Sequence, residues 1–336
     1  MLVNKAKAIV VGAGKWAQEY WSAFLADQDL VDVVGVVDLD RRRAGQLADV
    51  LGTAHAYSDL DEALRKVPDA AIAVILTSPE AHAENIIEAH RHGLDVITEK
   101  PLCMTAGELE RLKALPGEFR AVVTQNYRYE AFIQTMKTRL DSAELGPVRS
   151  IHARFAADYR VPGSWDVGDA HGMPDPMLTE GSIHHLDMMR YLTGSDIDSL
   201  AVTSTNPEGS SFAGDALVAA VVRFGTGVIG TYEASLLCAG QENRWHHEYY
   251  RVECRDGSIE FDGWNLTEYR GKAVTRIDPA GDPTARPGHL KVLRDLIGWR
   301  ETGRPGDTSL RDNIKSIGAV ISAVEAARTG TWQRVG

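Results

Sequence analysis

The stretch "IVVGAGKWA", residues 9–17, places a glycine turn directly after an apolar strand. Gly12, Gly14 and Ala17 fit the G-x-G-x-x-G/A pattern of dinucleotide-binding βαβ units. The first glycine permits a tight turn, the second lets the backbone approach a diphosphate, and the small third residue lets the helix pack closely on the strand. The diphosphate would lie on the amides at the start of the following helix. Glycines after a strand often form only a turn, so the pattern needs support from the neighbouring sequence.

Asp38 supplies that support, because it ends the apolar run 31–37 and lies 24 residues after Gly14. A carboxylate there accepts hydrogen bonds from the ribose hydroxyls of NAD and repels the 2′-phosphate of NADP. The arginines at 41–43 leave NADP as an alternative, since one of them could bind a 2′-phosphate; otherwise they form the solvated first turn of a helix. The cofactor-binding residues predicted in these two segments are Gly12, Ala13, Gly14, Lys15, Trp16, Ala17 and Asp38.

The first third of the chain alternates between apolar strands and helices. The strands are predicted at 7–11, 31–37, 70–76, 94–98 and 122–125. The helices are predicted at 15–27, 41–52, 79–93 and 105–115. Thr105 and Glu108 have the spacing of a capping box at the start of the last of these helices. This alternation predicts a parallel sheet with helices on both faces, a Rossmann-type doubly wound α/β domain over residues 1–125.

The pattern changes after about Asn126, where strands with polar alternation begin. The glycine turns "RFGTGV" (223–228) and "CRDGSI" (254–259) predict antiparallel hairpins. Further helices are predicted at 178–193, 287–302 and 309–328. We therefore expect an α+β substrate-binding and oligomerisation domain over 126–336, with a large, mostly antiparallel open sheet. Its C-terminal helix could pack back on the first domain, and the loop 279–288 is predicted to be a connection within the domain.

Composition excludes several classes of partner. The formal net charge of −11 opposes binding to nucleic acid or to an anionic membrane. We find no apolar run near the roughly 18 residues that span a bilayer and no signal-peptide cleavage site at the N-terminus. Cys103, Cys238 and Cys254 are widely separated and form no C-x-x-C pair, so we expect small core residues in a reducing cytoplasm.

The stretch "TEKPL" (98–102) ends the strand predicted at 94–98 with Glu99 and Lys100. The carboxyl ends of parallel strands face the ligand crevice in doubly wound sheets. Lys100 would therefore point to the nicotinamide end of the crevice, with Glu99 beside it. A lysine can give or take the proton that accompanies hydride transfer at a carbinol. From these residues alone, a structural role is as well supported as a catalytic one.

Taken together, four segments resemble the glucose–fructose oxidoreductase / inositol dehydrogenase / MocA family of NAD(P)-dependent sugar and polyol oxidoreductases. They are "VGAGKWA", "VDLD", "ILTSPEAHAENIIEAHRHGLDVITEKPLCMT" and "TEGSIHHLDMMRYLTG", in the family's order. The resemblance implies that Lys100 is the active-site lysine and that a cis peptide before Pro101 aims it. It also implies that Thr77, Pro79 and His82 lie beside the nicotinamide ribose, although His82 could instead be a surface histidine at a helix start.

The same resemblance assigns residues of the second domain. Asn126, Tyr127 and Arg128 match the crossover into it, and Arg128 is either structural or a substrate contact. Glu180, His184 and Asp187 follow one another at i, i+4 and i+7, on one helix face. By resemblance, His184 is the proton-relay partner of Lys100.

The neighbours of His184 on this helix have other expected roles. Glu180 stands where the family more often has aspartate and is the expected substrate contact. Asp187 holds the helix or orients His184, and His185 belongs to the core or to a second layer. Without the resemblance, a His-His pair on an amphipathic helix is more often core or surface. No cysteine or carboxylate completes a zinc site with the histidines of the second domain, so no metal is predicted.

Two aromatic segments of the second domain admit alternatives. The loop 158–176, "DYRVPGSWDVGDAHGMPDP", either caps the substrate cleft, with Trp165 as a substrate contact, or packs its own aromatic rings. Its candidate residues are Tyr159, Arg160, Trp165, Asp166 and His171. The segment "RWHHEYYR" (244–251) is expected on an edge or face of the open sheet, where the family forms its dimer interface, and substrate contact is its lesser alternative.

The predicted function is that of an NAD(P)-dependent sugar or polyol dehydrogenase or reductase (EC 1.1.1.-), with Lys100 and His184 as the proton-transfer pair. The predicted substrate contacts are Lys100, Asn126, Arg128, Trp165, Glu180 and His184. The expected assembly is a homodimer or homotetramer. Two alternatives stay open: an enzyme that oxidises its substrate transiently with tightly held NAD, such as an epimerase, hydrolase or lyase, and a non-catalytic nucleotide-sensing regulator.

Overall fold

The computed structural model describes residues 5–53, 55–165, 170–240, 245–279 and 288–336. These residues form two compact units. The first is drawn from Met1–Asn126 and Arg286–Ile314, and the second from Tyr127–Ala285 and Lys315–Gly336. Residues 280–287, most of the predicted connection, lie outside the described residues, as does Asp166.

The described part of the first unit contains a six-stranded parallel sheet. Its strands are β1 (Ala6–Val11), β2 (Val31–Val37), β3 (Ala56–Tyr57), β4 (Ile72–Ile75), β5 (Asp95–Thr98) and β6 (Ala121–Val123). Their order is β3-β2-β1-β4-β5-β6, and every pair is parallel. All residues of β4 and β5 are buried, as expected of strands covered on both faces. The strand order reverses between β1 and β4, which is where ligands bind in such sheets.

Helices connect these strands and cover the sheet. They are α1 (Ser22–Ala26), preceded by a π-helical turn (Ala17–Trp21), α2 (Arg41–Val50), α3 (Leu60–Lys66), α4 (Pro79–Arg91) and α5 (Ala106–Lys113). The predicted capping box is confirmed: Glu108 N donates to Thr105 Oγ1 at 3.2 Å, and Thr105 N donates to the Glu108 carboxylate at 3.0 Å. The Rossmann-type fold class is confirmed, whereas β3 and α3 were not predicted.

The second unit is built on an open sheet that, in the described residues, has nine strands. They are β7 (Val148–Ala156), β8 (Ile197–Thr205), β9 (Leu217–Phe224), β10 (Ile229–Ser235), β11 (Tyr249–Cys254), β12 (Ser258–Phe261), β13 (Leu266–Arg270), β14 (Ala273–Ile277) and β15 (Gln333–Arg334). The order is β14-β13-β12-β11-β7-β10-β9-β8-β15. The strands are antiparallel except for β7 and β10, so the predicted mostly antiparallel sheet is confirmed, and so are the hairpins β9–β10 and β11–β12.

The remaining helices are α6 (Ala131–Asp141), α7 (Ser182–Thr193), α8 (Gly288–Thr302) and α9 (Leu310–Thr329). A π-helical turn, Met177–Gly181, leads into α7, and α6 was not predicted. Within the described residues, no helix has both the length and the apolar character needed to cross a bilayer.

The helix α8 lies in the first unit, whereas its sequence position predicted it in the second domain. Leu293 and Leu296 are fully buried, and the helix packs against β5 and β6. Its Arg300 forms an ion pair with Asp95, a buried carboxylate of β5. Burial of an apolar face and neutralisation of a buried charge therefore fix this helix on the parallel sheet.

Candidate functional site

The glycine turn after β1 has the geometry that a diphosphate site needs. Gly12 has φ = 100°, and its N–H donates to Val37 O at 2.8 Å. A Cβ at Gly12 would lie 2.6 Å from Thr77 N, so no larger residue fits between β1 and the end of β4. A Cβ at Gly14 would meet nothing within 4 Å. The first glycine therefore serves the fold, and the second leaves open space for a ligand.

Asp38 lies beside this turn and is nearly buried, with 9% of its side chain exposed. Its Oδ2 accepts from Ala13 N at 2.7 Å, and its Oδ1 accepts from Arg43 Nη2 at 3.0 Å. A cavity of about 440 Å³ is lined by Gly12, Gly14, Asp38, Arg43, Thr77 and Ser78 among others. The open space at Gly14 and the carboxylate at the cavity wall fit the diphosphate and ribose of a dinucleotide.

The other predicted residues of the turn have different surroundings. Lys15 is exposed, with Nζ 3.9 Å from the Glu19 carboxylate. Ala17 is fully buried. The indole of Trp16 is 38% exposed and donates to the carboxylate of Glu99. This bond is a finding that the glycine motif did not predict.

Glu99 is a buried carboxylate that precedes Lys100. Its Oε1 accepts from Trp21 Nε1 at 2.6 Å, and its Oε2 accepts from Thr124 Oγ1 at 2.8 Å. The backbone N–H of Lys100 donates to the same Oε2 at 3.2 Å. His289 of α8 places its Nε2 3.6 Å from Oε1. Glu99 is therefore an anchor for the segment that carries Lys100.

The charge of Glu99 follows from these neighbours. Burial alone would raise the pKa of the carboxyl group, but His289 and the hydrogen bonds from Trp16, Trp21 and Thr124 outweigh it and lower the pKa below its usual value. Glu99 is therefore an anion at neutral pH. The sequence did not predict that these side chains surround Glu99. Trp21 lies one turn beyond Trp16 on the same helical segment, and His289 comes from a distant helix without a local signal.

The segment after Lys100 is held by a buried histidine. The peptide between Lys100 and Pro101 is cis, which confirms the expectation. His82, 1% exposed, places Nδ1 2.7 Å from Pro101 O and Nε2 3.0 Å from Thr77 O. The surface alternative for His82 is wrong, because the ring lies inside and links the end of β4 to the end of β5. Pro79 is the first residue of α4.

In the second unit, Arg128 and Asp187 form a buried pair. Arg128 Nε and Nη2 donate to the two carboxylate oxygens of Asp187 at 2.7 and 2.6 Å. Ser316 Oγ of α9 donates to the same carboxylate at 2.5 Å. The side chains of both partners are at most 5% exposed. This arrangement favours the structural alternative for Arg128, and it shows that Asp187 holds α7 in place.

His184 and its neighbours pack among aromatic rings. The His184 ring stacks on Tyr127 with centroids 4.3 Å apart. Glu180 lies in the π-helical turn before α7 and is buried, 5% exposed. His185 belongs to the core, because its Nδ1 lies 2.7 Å from the hydroxyl of Tyr232 and its ring is 1% exposed.

The two aromatic segments of the second unit differ in outcome. Trp165 is buried and stacks on Tyr159, with centroids 5.4 Å apart, which favours local packing of the loop. Residues 249–251 belong to β11 of the open sheet, as expected, whereas Trp245 and His246 precede the strand and lie beside Tyr127, at 6.5 and 4.5 Å between centroids. Within 244–251, Arg244 lies outside the described residues.

The remaining predicted residues are Asn126, Arg160 and His171. Asn126, half-buried, ends the first unit, and a Cβ at Gly288 of α8 would lie 2.6 Å from its carbonyl oxygen. Arg160 pairs with Asp158 at 2.6 Å. His171 places Nε2 3.0 Å from Tyr159 O. Among the residues that the structure describes, no group of three or more His, Cys, Asp or Glu side chains could hold a metal ion.

Comparison with known proteins identifies the family. Residues 6–127 match the model described as the GFO_IDH_MocA oxidoreductase family, NAD-binding Rossmann fold, and residues 133–260 match the GFO/IDH/MocA C-terminal domain. D-apiose dehydrogenase of Paraburkholderia graminis is 22% identical over 98% of this chain and 89% of its own length. Inositol 2-dehydrogenase of Ralstonia nicotianae is 28% identical over 57% of this chain and 56% of its own length.

The solved structures agree on the fold. An oxidoreductase from Agrobacterium radiobacter, crystallised with NAD+, L-tartaric acid and magnesium, superposes with a TM-score of 0.84 at 20% identity and covers 99% of both chains. The predicted family and cofactor are thus confirmed. The chain belongs to the GFO/IDH/MocA oxidoreductase family, and its first unit is an NAD-binding Rossmann domain.

Proposed function

We propose that the protein transfers hydride between NAD and a secondary hydroxyl, or the corresponding ketone, of a sugar, inositol or related polyol. The observation that carries the proposal is the position of Lys100. It follows the carboxyl end of β5, on the sheet edge where Gly12 and Thr77 follow β1 and β4, and its amide is held by the Glu99 anion. The names of the dehydrogenase relatives support a sugar or polyol as substrate.

NAD, when bound, supplies the carbon that accepts or donates the hydride. The diphosphate would lie over Gly14, at the amides of Lys15 and Trp16, while Gly12 and Ala17 permit the tight turn and the close packing, and the Ala13 amide holds Asp38. Asp38 would accept from the adenosine ribose. Its pairing with Arg43 supports NAD over NADP, because that guanidinium is already engaged by the carboxylate. Thr77 and Pro79 are the proposed contacts near the nicotinamide ribose.

Lys100 takes the hydroxyl proton as the hydride leaves the substrate carbon, and His184 shares that proton; in ketone reduction the same groups return it. Glu99 holds the backbone and does not move the proton, since its oxygens already accept from Trp21 and Thr124. Glu180 is the proposed substrate contact beside His184, with Asn126 as a further one. Arg128 and Trp165 are better explained as supports of the site, because their side chains are used within the unit.

A scan of reduced-nicotinamide absorbance tests the proposal. The panel contains inositols, aldoses, sugar phosphates and nucleotide sugars, each with NAD and NADP in parallel. We expect NAD reduction by at least one compound and a weaker response with NADP. If the product has the same oxidation level as the substrate and the bound NAD never exchanges, the protein oxidises its substrate only transiently. NAD binding without oxidation of any compound would favour a nucleotide-sensing regulator.

The assembly and location are further proposals. The second sheet exposes Val221 on β9 and Ile229 on β10, at 42% and 51%. These apolar side chains support a homodimer or homotetramer that covers the sheet. Sedimentation equilibrium should give a multiple of the chain mass, and charged substitutions at both positions should give monomers. A cytoplasmic location stays a prediction from cysteine use.

A further inference from the structure

Two imidazole rings stack on the phenol ring of Tyr127. The His184 centroid lies 4.3 Å from that of Tyr127 with an interplanar angle of 28°, and the His246 centroid lies 4.5 Å away with an angle of 14°. Two rings this close to one face of a phenol would overlap each other. His184 and His246 therefore lie on opposite faces of Tyr127, and the three rings form a stack.

His246 is held in the stack by two carboxylates. Its Nδ1 lies 3.0 Å from Oε1 of Glu130, the residue before α6, and its backbone N–H donates to Oε1 of Glu248 at 3.0 Å. Its φ of 67° is in the left-handed region, which is unfavourable for a residue with a side chain. Such a conformation persists only where the surroundings enforce it, and it is found most often at functional sites.

The charge of His246 follows from the same contacts. Partial burial lowers the pKa of its imidazole, whose side chain is 47% exposed, but the hydrogen bond that the ring donates to Glu130 and the charges of Glu130 and Glu248 outweigh this effect, so the pKa is raised. The titratable groups that face this ring are Glu130 from the start of α6, Glu248 from the segment before β11, and Tyr127, with His184 of α7 beyond it. A histidine–carboxylate pair, whose charges offset each other when the imidazole is protonated, thus stands one ring away from His184.

We propose that the Glu130–His246 pair is a positioning device that fixes the orientation and the charge state of His184 through Tyr127. When His246 is protonated the pair as a whole is neutral, so it holds the stack together and keeps the charge of either partner from shifting the protonation of His184. Loss of His246 leaves the charge of Glu130 unbalanced on the far side of Tyr127, whereas loss of Glu130 also removes the main contact that raises the pKa of His246. The effect of the pair on catalysis rests on the proposed function, in which His184 shares the substrate proton. Its effect on the position and the pKa of His184 does not.

The test is a histidine NMR titration of the full-length protein, with the His184 signal assigned by its loss in His184→Asn. His246→Asn removes the cation and leaves Glu130, so the pKa of His184 should rise by roughly half a pH unit. Glu130→Gln removes that carboxylate together with the hydrogen bond that raises the pKa of His246, so the pKa of His184 should stay closer to the wild-type value than in His246→Asn. The double variant should return it near the wild-type value. Asparagine tolerates the left-handed backbone at residue 246, and the Glu130 side chain does not cap α6, so both variants should fold.

His247→Asn is the matched control, because His247 stacks on Trp264 and not on Tyr127. It should leave the His184 titration unchanged. An equally large rise in both single variants, or no shift in His246→Asn, would overturn the proposal. Because the titration needs neither NAD nor substrate, this result is independent of whether the protein oxidises any polyol. If it does, the acidic limb of the kcat/KM pH profile should move with the His184 midpoint.

Discussion

Glu99 is buried beside Lys100, and its lowered pKa is a statement about stability as well as about charge. A depressed carboxyl pKa stabilises the fold above the unfolded value of 4.5, and that stabilisation is lost as the pH falls through the folded value. Glu99→Gln should therefore lower the free energy of unfolding by about 2 kcal/mol at neutral pH, since bonds to a charged acceptor are lost. The difference from wild type should vanish in acid.

Urea unfolding of the wild type and of Glu99→Gln, from neutral pH to below the folded-state pKa of Glu99, measures the difference in the free energy of unfolding. Glu19→Gln, an exposed carboxylate with 52% of its side chain accessible, is the control and should change little. A Glu99→Gln defect that is equally large at neutral pH and below the folded-state pKa would show that the anion does not stabilise the segment.

The two glycines of the turn should respond differently to alanine. Gly12→Ala places a Cβ against Thr77 N at a positive φ, so it should lower the free energy of unfolding by at least about 2 kcal/mol and abolish NAD binding. Gly14→Ala meets open space, so stability should stay within about 0.5 kcal/mol while NAD affinity falls roughly tenfold or more. Thermal unfolding and NAD fluorescence titration separate the two effects. Unchanged NAD affinity in Gly14→Ala would remove the turn from the cofactor site.

At the scale of elements, the Arg128–Asp187 pair joins the turn before α6 to α7. Arg128→Met leaves Asp187 charged, buried and short of partners, and it should destabilise the protein by about 3–5 kcal/mol. Arg154→Met is the control, because Arg154 is 47% exposed and its pair with Glu233 is worth at most about 1 kcal/mol. Denaturant unfolding compares them. Equal effects of the two substitutions would contradict the role assigned to the buried pair.

Elements with a local signal could be predicted, and elements without one could not. The capping box at Thr105 and the apolar runs of β1, β2, β4 and β5 are readable because neighbouring residues specify them. The helix α6 follows Glu130, whose side chain makes no capping bond, and β3 has only two residues. Such elements depend on contacts with the surrounding fold and not on a signal in their own sequence.

At the scale of the whole molecule, the position of α8 in the sequence does not show to which of the two units the helix belongs. Its apolar face could have been buried in either unit, and no local pattern states that Arg300 would meet Asp95, 205 residues away. The candidate site divides in the same way. Gly12, Asp38 and Lys100 belong to motifs, whereas Trp21, His289 and His246 reach their places through tertiary packing.

Lys100→Met provides the decisive measurement, with the substrate found in the absorbance scan. The kcat should fall by roughly 10²–10⁴-fold, because the group that moves the hydroxyl proton is gone. The Kd for NAD and the thermal stability should remain near the wild-type values. Lys7→Met, in the exposed pair with Asp69 at the start of β1, should keep full activity. A Lys100→Met enzyme that turns over near the wild-type rate would contradict the assignment of proton transfer to Lys100.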